Sequence, residues 1–247
     1  ETPADFEYRQ KKQNYFVKDL ERFNIKTILI DHFSEITALL KKLEGSYKEK
    51  TVFISGAAHQ YGQMGERKAL EFVYKLSKVL VSSNLRIVSG FGLGVGSSVI
   101  AGALEQTFTN PKAKIEDKLV LRPFPQSTEG KIPLSTLWTK YRKDMIEHAG
   151  VALFLFGNKS NGHDVVLSNG MREEFDIAKD KGLFLMPIGA TGYMAQQLWS
   201  EQNAEIQNDP SISVEMKKYF AKLGDTTITT DEIIDLVMDI IQLKIKT

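Results

Sequence analysis

From residue 51 onward the chain alternates short apolar runs with segments of helical periodicity, and this alternation restricts the fold more than any other feature. "TVFIS" (51–55), "LRIVSG" (85–90), "KLVLR" (118–122), "VALFLF" (151–156) and "LFLMPI" (183–188) have the length and continuity of strands buried on both faces. Between the first two, "ERKALEFVYKLSKVLVSS" sets Ala69, Leu70, Val73, Leu76 and Leu80 on one helical face. "SSVIAGALEQ", "STLWTKYRKDMIEHA" and "NGMREEFDIAKDKG" fill later intervals as helices, the last stopped by Gly182. The pattern predicts an α/β fold: a Rossmann-like, doubly wound parallel sheet with right-handed crossovers, flanked by helices.

The two ends read differently. "TTDEIIDLVMDIIQLKIK" has capping-box spacing, Thr229 to Glu232, before an apolar periodicity. It predicts a helix packed on the sheet or on a sister subunit. In residues 1–45, "NYFVKDLERF", "IKTILI" and "SEITALLKKL" predict helix, one strand, helix. A lone strand needs a sheet from elsewhere, either the edge of the following sheet or a preceding domain of which this is the tail. The tail is the favoured reading, and "EGSYKEK" (44–50) then serves as a linker. The chain begins without Met, which fits a fragment or a processed protein.

In a parallel sheet the loops after the strands gather on one edge, where ligands bind. Here that edge collects "SGAAHQYG", "SGFGLGVGSS", "RPFPQ", "GNKSNGHD" and "GATGY". Gly90, Gly92, Gly94 and Gly96 alternate where the second strand passes into a helix. Bare backbone there lets N–H groups and a helix N-terminus meet an anion, most simply a phosphate. The competing explanation is that these glycines only permit a tight turn and close packing. A nicotinamide-binding domain is not expected: Val95 and Ser97 break the G-x-G-x-x-G spacing, and no acidic residue closes the next strand. Arg142 offers a planar fork and Lys159 a mobile charge to phosphate oxygens, while Glu174 can accept two ribose hydroxyls. Together they predict a pocket positive toward a diphosphate and acidic toward a sugar. Against this, Arg142 could be a solvated helix charge, and Glu173 and Glu174 could serve a helix N-terminus.

Composition trims the alternatives. Basic and acidic residues number 32 and 31, which argues against a nucleic-acid-binding surface. Cysteine is absent, so disulfides and thiolate chemistry are excluded. The four histidines are scattered without metal-ligand spacing, and no serine lies in a nucleophile elbow. No metal or cofactor is expected. No apolar run nears the ~20 residues of a membrane span, and the expected location is cytoplasmic.

"TVFISGAAHQYG", "RIVSGFGLGVGSSVIAGAL", "LRPFPQ", "WTKYRKDMIEHAGVALFLFGNK" and "SNGMREEFDIA" together resemble the SLOG superfamily. That superfamily includes the cytokinin-activating LOG phosphoribohydrolases and nucleotide-sensing relatives. The likeness is strongest to the C-terminal SLOG domain of effectors of the bacterial Thoeris anti-phage systems, and covers residues 51–205 well. "YFVKDLERFNIKTILIDHFSEITALLKKL" looks like the end of the SIR2-like domain that precedes SLOG in those effectors. The implied division is residues 1–45 as a SIR2-like tail, 46–50 as linker and 51–247 as the SLOG domain.

The resemblance implies a role as well. A TIR-domain protein makes a cyclic ADP-ribose isomer, the SLOG domain binds it, and an attached SIR2-like domain is released to hydrolyse NAD. The ligand-contacting arginine, lysine and glutamate of that family fall on Arg142, Lys159 and Glu174. Ser55, Gly56, Gly90, Gly92 and Gly94 would add contacts, and homo-oligomers are implied. The LOG signature P-G-G-x-G-T-x-x-E is replaced by "FGNKSNGHDVVLSNGMREE". Binding without turnover is therefore expected, with LOG-like phosphoribohydrolase activity as the alternative and a purely structural oligomerisation module as a third reading. No SIR2 catalytic histidine or NAD pocket is recognisable, so NAD hydrolysis is expected of the parent protein and not of this chain alone.

Overall fold

The computed structural model describes residues 2–23, 25–127, 130 and 132–246. The chain divides into two compact units, Glu1–Glu44 and Gly45–Thr247. The first unit opens with α1 (Pro3–Arg22), started by a reciprocal capping box between Thr2 and Asp5. Residues 25–30, expected as a strand, join no sheet among the described residues, and Ile25, Ile28, Leu29 and Ile30 are exposed. The strand expectation is corrected: among the described residues the segment has no sheet partner, and Ile25 N donates instead to Leu20 O at the end of α1. Helix α2 (Glu35–Glu49) runs on through most of "EGSYKEK", so the segment read as a linker is the last turns of a helix.

The second unit is built on five parallel strands. They are β1 (Thr51–Ala57), β2 (Arg86–Ser89), β3 (Leu119–Leu121), β4 (Val151–Phe156) and, after a hairpin, β7 (Phe184–Pro187). Their order is β3-β2-β1-β4-β7. All four neighbouring pairs are parallel, as the alternation predicted. The order reverses between β1 and β4, a switch point of the kind that opens a crevice at the carboxyl ends of the strands.

Alternate side chains of each strand feed opposite cores. Val52, Ile54, Leu153 and Leu155 join Phe72, Val73 and Leu76 of α3 (Glu66–Ser82), with α4 (Gly96–Phe108) and α9 (Thr230–Lys246) on the same side. Phe53, Ala152 and Phe154 join Met145 of α5 (Leu134–Ile146) and Phe175 and Ala178 of α6 (Asn169–Asp180) on the other. Phe154 meets Phe53 and Phe175 edge-on, at 6.5 and 5.3 Å between ring centres. These contacts seat α6 on the sheet and so fix the direction of Glu174, the neighbour of Phe175.

Two of the expected helix boundaries appear with their physical cause. Gly182 ends α6 at a φ of +73°, and Leu183 N and Gly182 N return to Ala178 O and Lys179 O, a Schellman pattern. At α9, Thr229 N donates to Glu232 and Glu232 N to Thr229 Oγ1. The antiparallel hairpin of β5 (Asn158–Ser160) and β6 (Val165–Leu167), together with α7 (Tyr193–Asn208) and α8 (Val214–Lys222), completes the unit.

Candidate functional site

The glycine run folds as a loop laid on the loop that follows β1. A Cβ on Gly92 would stand 2.9 Å from the Gly56 carbonyl carbon and closer still to its oxygen. One on Gly94, at φ +76°, would stand 3.0 Å from the Ala58 carbonyl carbon. Ala58 N donates to Leu93 O at 2.9 Å, and the Tyr61 hydroxyl to Gly94 O at 2.9 Å. What the bare backbone admits is therefore another stretch of backbone, the close-packing explanation weighed above. The same arrangement leaves the N–H groups of Phe91, Gly92, Leu93 and Gly94 without an acceptor among the described residues. Phe91 takes a left-handed φ of 58°, an uncommon conformation for so bulky a side chain. Four free donors in the loop that leads into α4 are a site of anion-binding character.

Beside this loop lies a hollow of about 30 Å³ lined by Phe53, Ile54, Ser55, Gly56, Gly90, Gly92, Phe124 and Glu174. It admits a group of hydroxyl size, far below the roughly 300–1,000 Å³ of pockets that enclose a whole ligand. A larger guest must lie across the rim or displace the Phe124 ring. Ser55 closes one wall from the end of β1, its Oγ donating to Glu174 Oε2 at 2.5 Å. Glu174 comes from the second turn of α6, not the first, so service to a helix N-terminus does not explain it.

Arg142, on α5, stands behind Glu174. Its Nε donates to Glu174 Oε1 at 3.4 Å and its Nη1 to Glu173 Oε2 at 2.7 Å. The Phe124 ring lies 5.1 Å from the guanidinium carbon. The reading of Arg142 as a solvated helix charge is overturned, since its side chain is 11% exposed. The expected positive pocket also needs correction: two carboxylates already offset the arginine. Burial raises the Glu174 carboxyl above its ordinary pKa, while the Ser55 hydroxyl and the Arg142 charge pull it back.

Stability follows from that shift. Glu174 keeps its proton in the fold at pH values where the unfolded chain has lost it. The native state then binds more protons, and stability falls as pH rises from about 4.3 toward the raised folded value. Glu174→Gln, which retains an acceptor for Ser55, is expected to flatten this decline. Urea unfolding of both proteins at pH 5 and pH 8 measures it, and equal slopes would refute the assignment.

The remaining residues sit apart. Gly94 packs at the far end of the glycine loop and does not line the hollow. Lys159 is exposed on β5 opposite Val166, also outside the hollow, and forms no ion pair among the described residues. Its neighbour Asn158, 1% exposed, was not singled out from sequence. The Asn158 side chain accepts from His59 N and Gln60 N and donates to Gln60 O, clamping the loop after β1 to the hairpin after β4. Among the described residues no cluster of three or more histidine or acidic side chains is placed to hold a metal ion, and no helix is long and apolar enough to cross a membrane.

A family model for Sir2- and TIR-associating SLOG proteins matches residues 35–244. The chain belongs to this SLOG family. Relatives named NAD(+) hydrolase ThsA agree with the assignment. The protein from Bacillus cereus (strain MSX-D12) is 43% identical over 98% of this chain and 50% of its own length. That from Cytobacillus dafuensis is 40% identical over 96% and 48%. That from Acinetobacter baumannii (strain 532279) is 36% identical over 97% and 51%. This SLOG chain thus spans about half the length of the curated relatives it matches. A solved structure of the protein TM1055 shares 14% identity at a TM-score of 0.43, over 61% of this chain and 81% of its own.

Proposed function

We propose that this chain is a nucleotide-sensing module that binds a cyclic ADP-ribose isomer intact and thereby controls an attached SIR2-like NAD hydrolase in anti-phage defence. The family is named for its association with Sir2 and TIR proteins. Relatives of twice this length carry the name NAD(+) hydrolase. The observation that carries the reading is local: a buried carboxylate faces a hydroxyl-sized hollow, and free backbone donors stand beside it. A ribose hydroxyl suits the first and a diphosphate the second. Lys159, exposed on its hairpin, adds charge toward the phosphates if the ligand lies across the rim. Control then requires the ligand to bind one arrangement of a homo-oligomer better than another. The signal itself comes from a TIR-domain protein.

Calorimetry of the full chain with cyclic ADP-ribose isomers, and separately with nucleoside monophosphates, tests this while free base is followed by chromatography. Binding of a cyclic isomer without base release is the expected result. Base release from a monophosphate would favour the LOG-like hydrolase. That alternative draws on one observation, a raised carboxyl beside an arginine, which is what a general acid needs. No binding of either class would leave an oligomerisation module.

A further inference from the structure

We propose that Glu173 is a positioning and selectivity residue for anionic ligands: it occupies the accessible edge of Arg142 and yields that edge to phosphate oxygens. The proposal rests on the reading of this site as one that receives a diphosphate. Of the two carboxylates on Arg142, Glu173 makes the shorter contact, 2.7 Å against 3.4 Å for Glu174. It is also the one free to leave, with a side chain 36% exposed against 11% for Glu174.

The rest of the guanidinium is crowded, although among the described residues only Nε and Nη1 have acceptors. One face meets the Phe124 ring. Nη2 lies against Gly170, where a Cβ would come within 2.7 Å of it. Nε points at Glu174, the buried partner. A phosphate oxygen that approaches Arg142 from the more exposed, Glu173 side competes with Glu173 for the Nη1–H that it holds. While in place, Glu173 also repels that oxygen, and the repulsion scales with ligand charge.

Thr139 sets how firmly Glu173 is held. It lies three residues before Arg142 on α5, and its hydroxyl donates to Glu173 Oε1 while Arg142 holds Oε2. Glu173 thus lowers the affinity for anionic ligands and leaves uncharged ones untouched, so a phosphate binds Arg142 only where its own bonds repay the displacement.

Calorimetry on the full chain with cyclic ADP-ribose, inorganic pyrophosphate and adenosine separates the outcomes. Glu173→Gln is expected to bind pyrophosphate and cyclic ADP-ribose about fivefold more tightly, the upper scale of one partly exposed ion pair. Adenosine affinity should not change. Thr139→Val, which frees Glu173 without removing it, should tighten pyrophosphate binding by about two- to threefold. Equal or weaker pyrophosphate binding by a folded Glu173→Gln protein overturns the proposal, as does an equal gain for adenosine, which would mark a packing effect. Cyclic ADP-ribose bound no better by the variant than by the native chain removes the role of Glu173 and keeps the functional reading. No cyclic ADP-ribose binding by either, with a gain for pyrophosphate in the variant, does the reverse. Binding of none of the probes overturns both. Circular dichroism checks folding, and if Glu173→Gln does not fold, the Thr139→Val result decides.

Discussion

Gly92→Ala is expected to destabilise the second unit by more than ~3 kcal/mol and to abolish ligand binding, among the largest effects of any single methyl group in the chain. The added carbon would overlap the Gly56 carbonyl, and that carbonyl has nowhere to go. Gly56 is paired with Leu155 in the central ladder, and its own missing Cβ is what leaves room for Val95. Relief must come from lifting the whole loop, which breaks the bond from Ala58 N to Leu93 O and scatters the four free N–H groups. Gly45 provides the contrast. It lies within α2 with open space around its Cβ position, so Gly45→Ala should stabilise by about 0.5–1 kcal/mol through helix propensity. Urea midpoints of the two variants against the native chain check both signs. A Gly92→Ala protein within ~1 kcal/mol of native would show that the loop is not held as described.

That loop marks where sequence reading reached its limit. The five strands were legible because their apolar runs are continuous, as burial on both faces demands, and the helices between them because their periodicity is 3.6. Even the ends of α6 and α9 were legible, since Gly182 and the Thr229–Glu232 pair act through local backbone geometry. The segment at 25–30 misled because an apolar, β-branched run carries no information about whether a partner strand exists. The short hairpin from Asn158 to Leu167 was missed because its strands have three residues each, one polar and one apolar, too short to show a period. Within the site, the glycine spacing announced a close approach but not its object. Only tertiary structure reveals that backbone fills the space. The partnership of Arg142 with Glu173 was equally hidden, because it joins two different helices, α5 and α6, across 31 positions of sequence.

Arg142→Met is the second large effect, and its size should depend on pH. Methionine keeps the length and the apolar contact with Phe124 while removing the charge. Glu173 loses a partner but is exposed enough to be rehydrated. Glu174 is not, and it stays buried with only the Ser55 hydroxyl for company. Leaving a buried charge unpaired typically costs about 3–5 kcal/mol. Glu174 has an escape that most buried charges lack, because burial already raises its affinity for a proton. Near pH 5 it can neutralise itself, and the substitution should be mild. Near pH 8 keeping that proton becomes costly, and the loss should approach ~3 kcal/mol. Combining Arg142→Met with Glu174→Gln removes the stranded charge, so the double variant should be more stable at pH 8 than Arg142→Met alone. A double-mutant cycle from urea unfolding at both pH values measures the coupling. If the cost of Arg142→Met is the same at pH 5 and pH 8, or the second substitution restores nothing, Arg142 does not serve as the counter-charge of Glu174. Its effect on ligand binding would then have to come from direct contact alone.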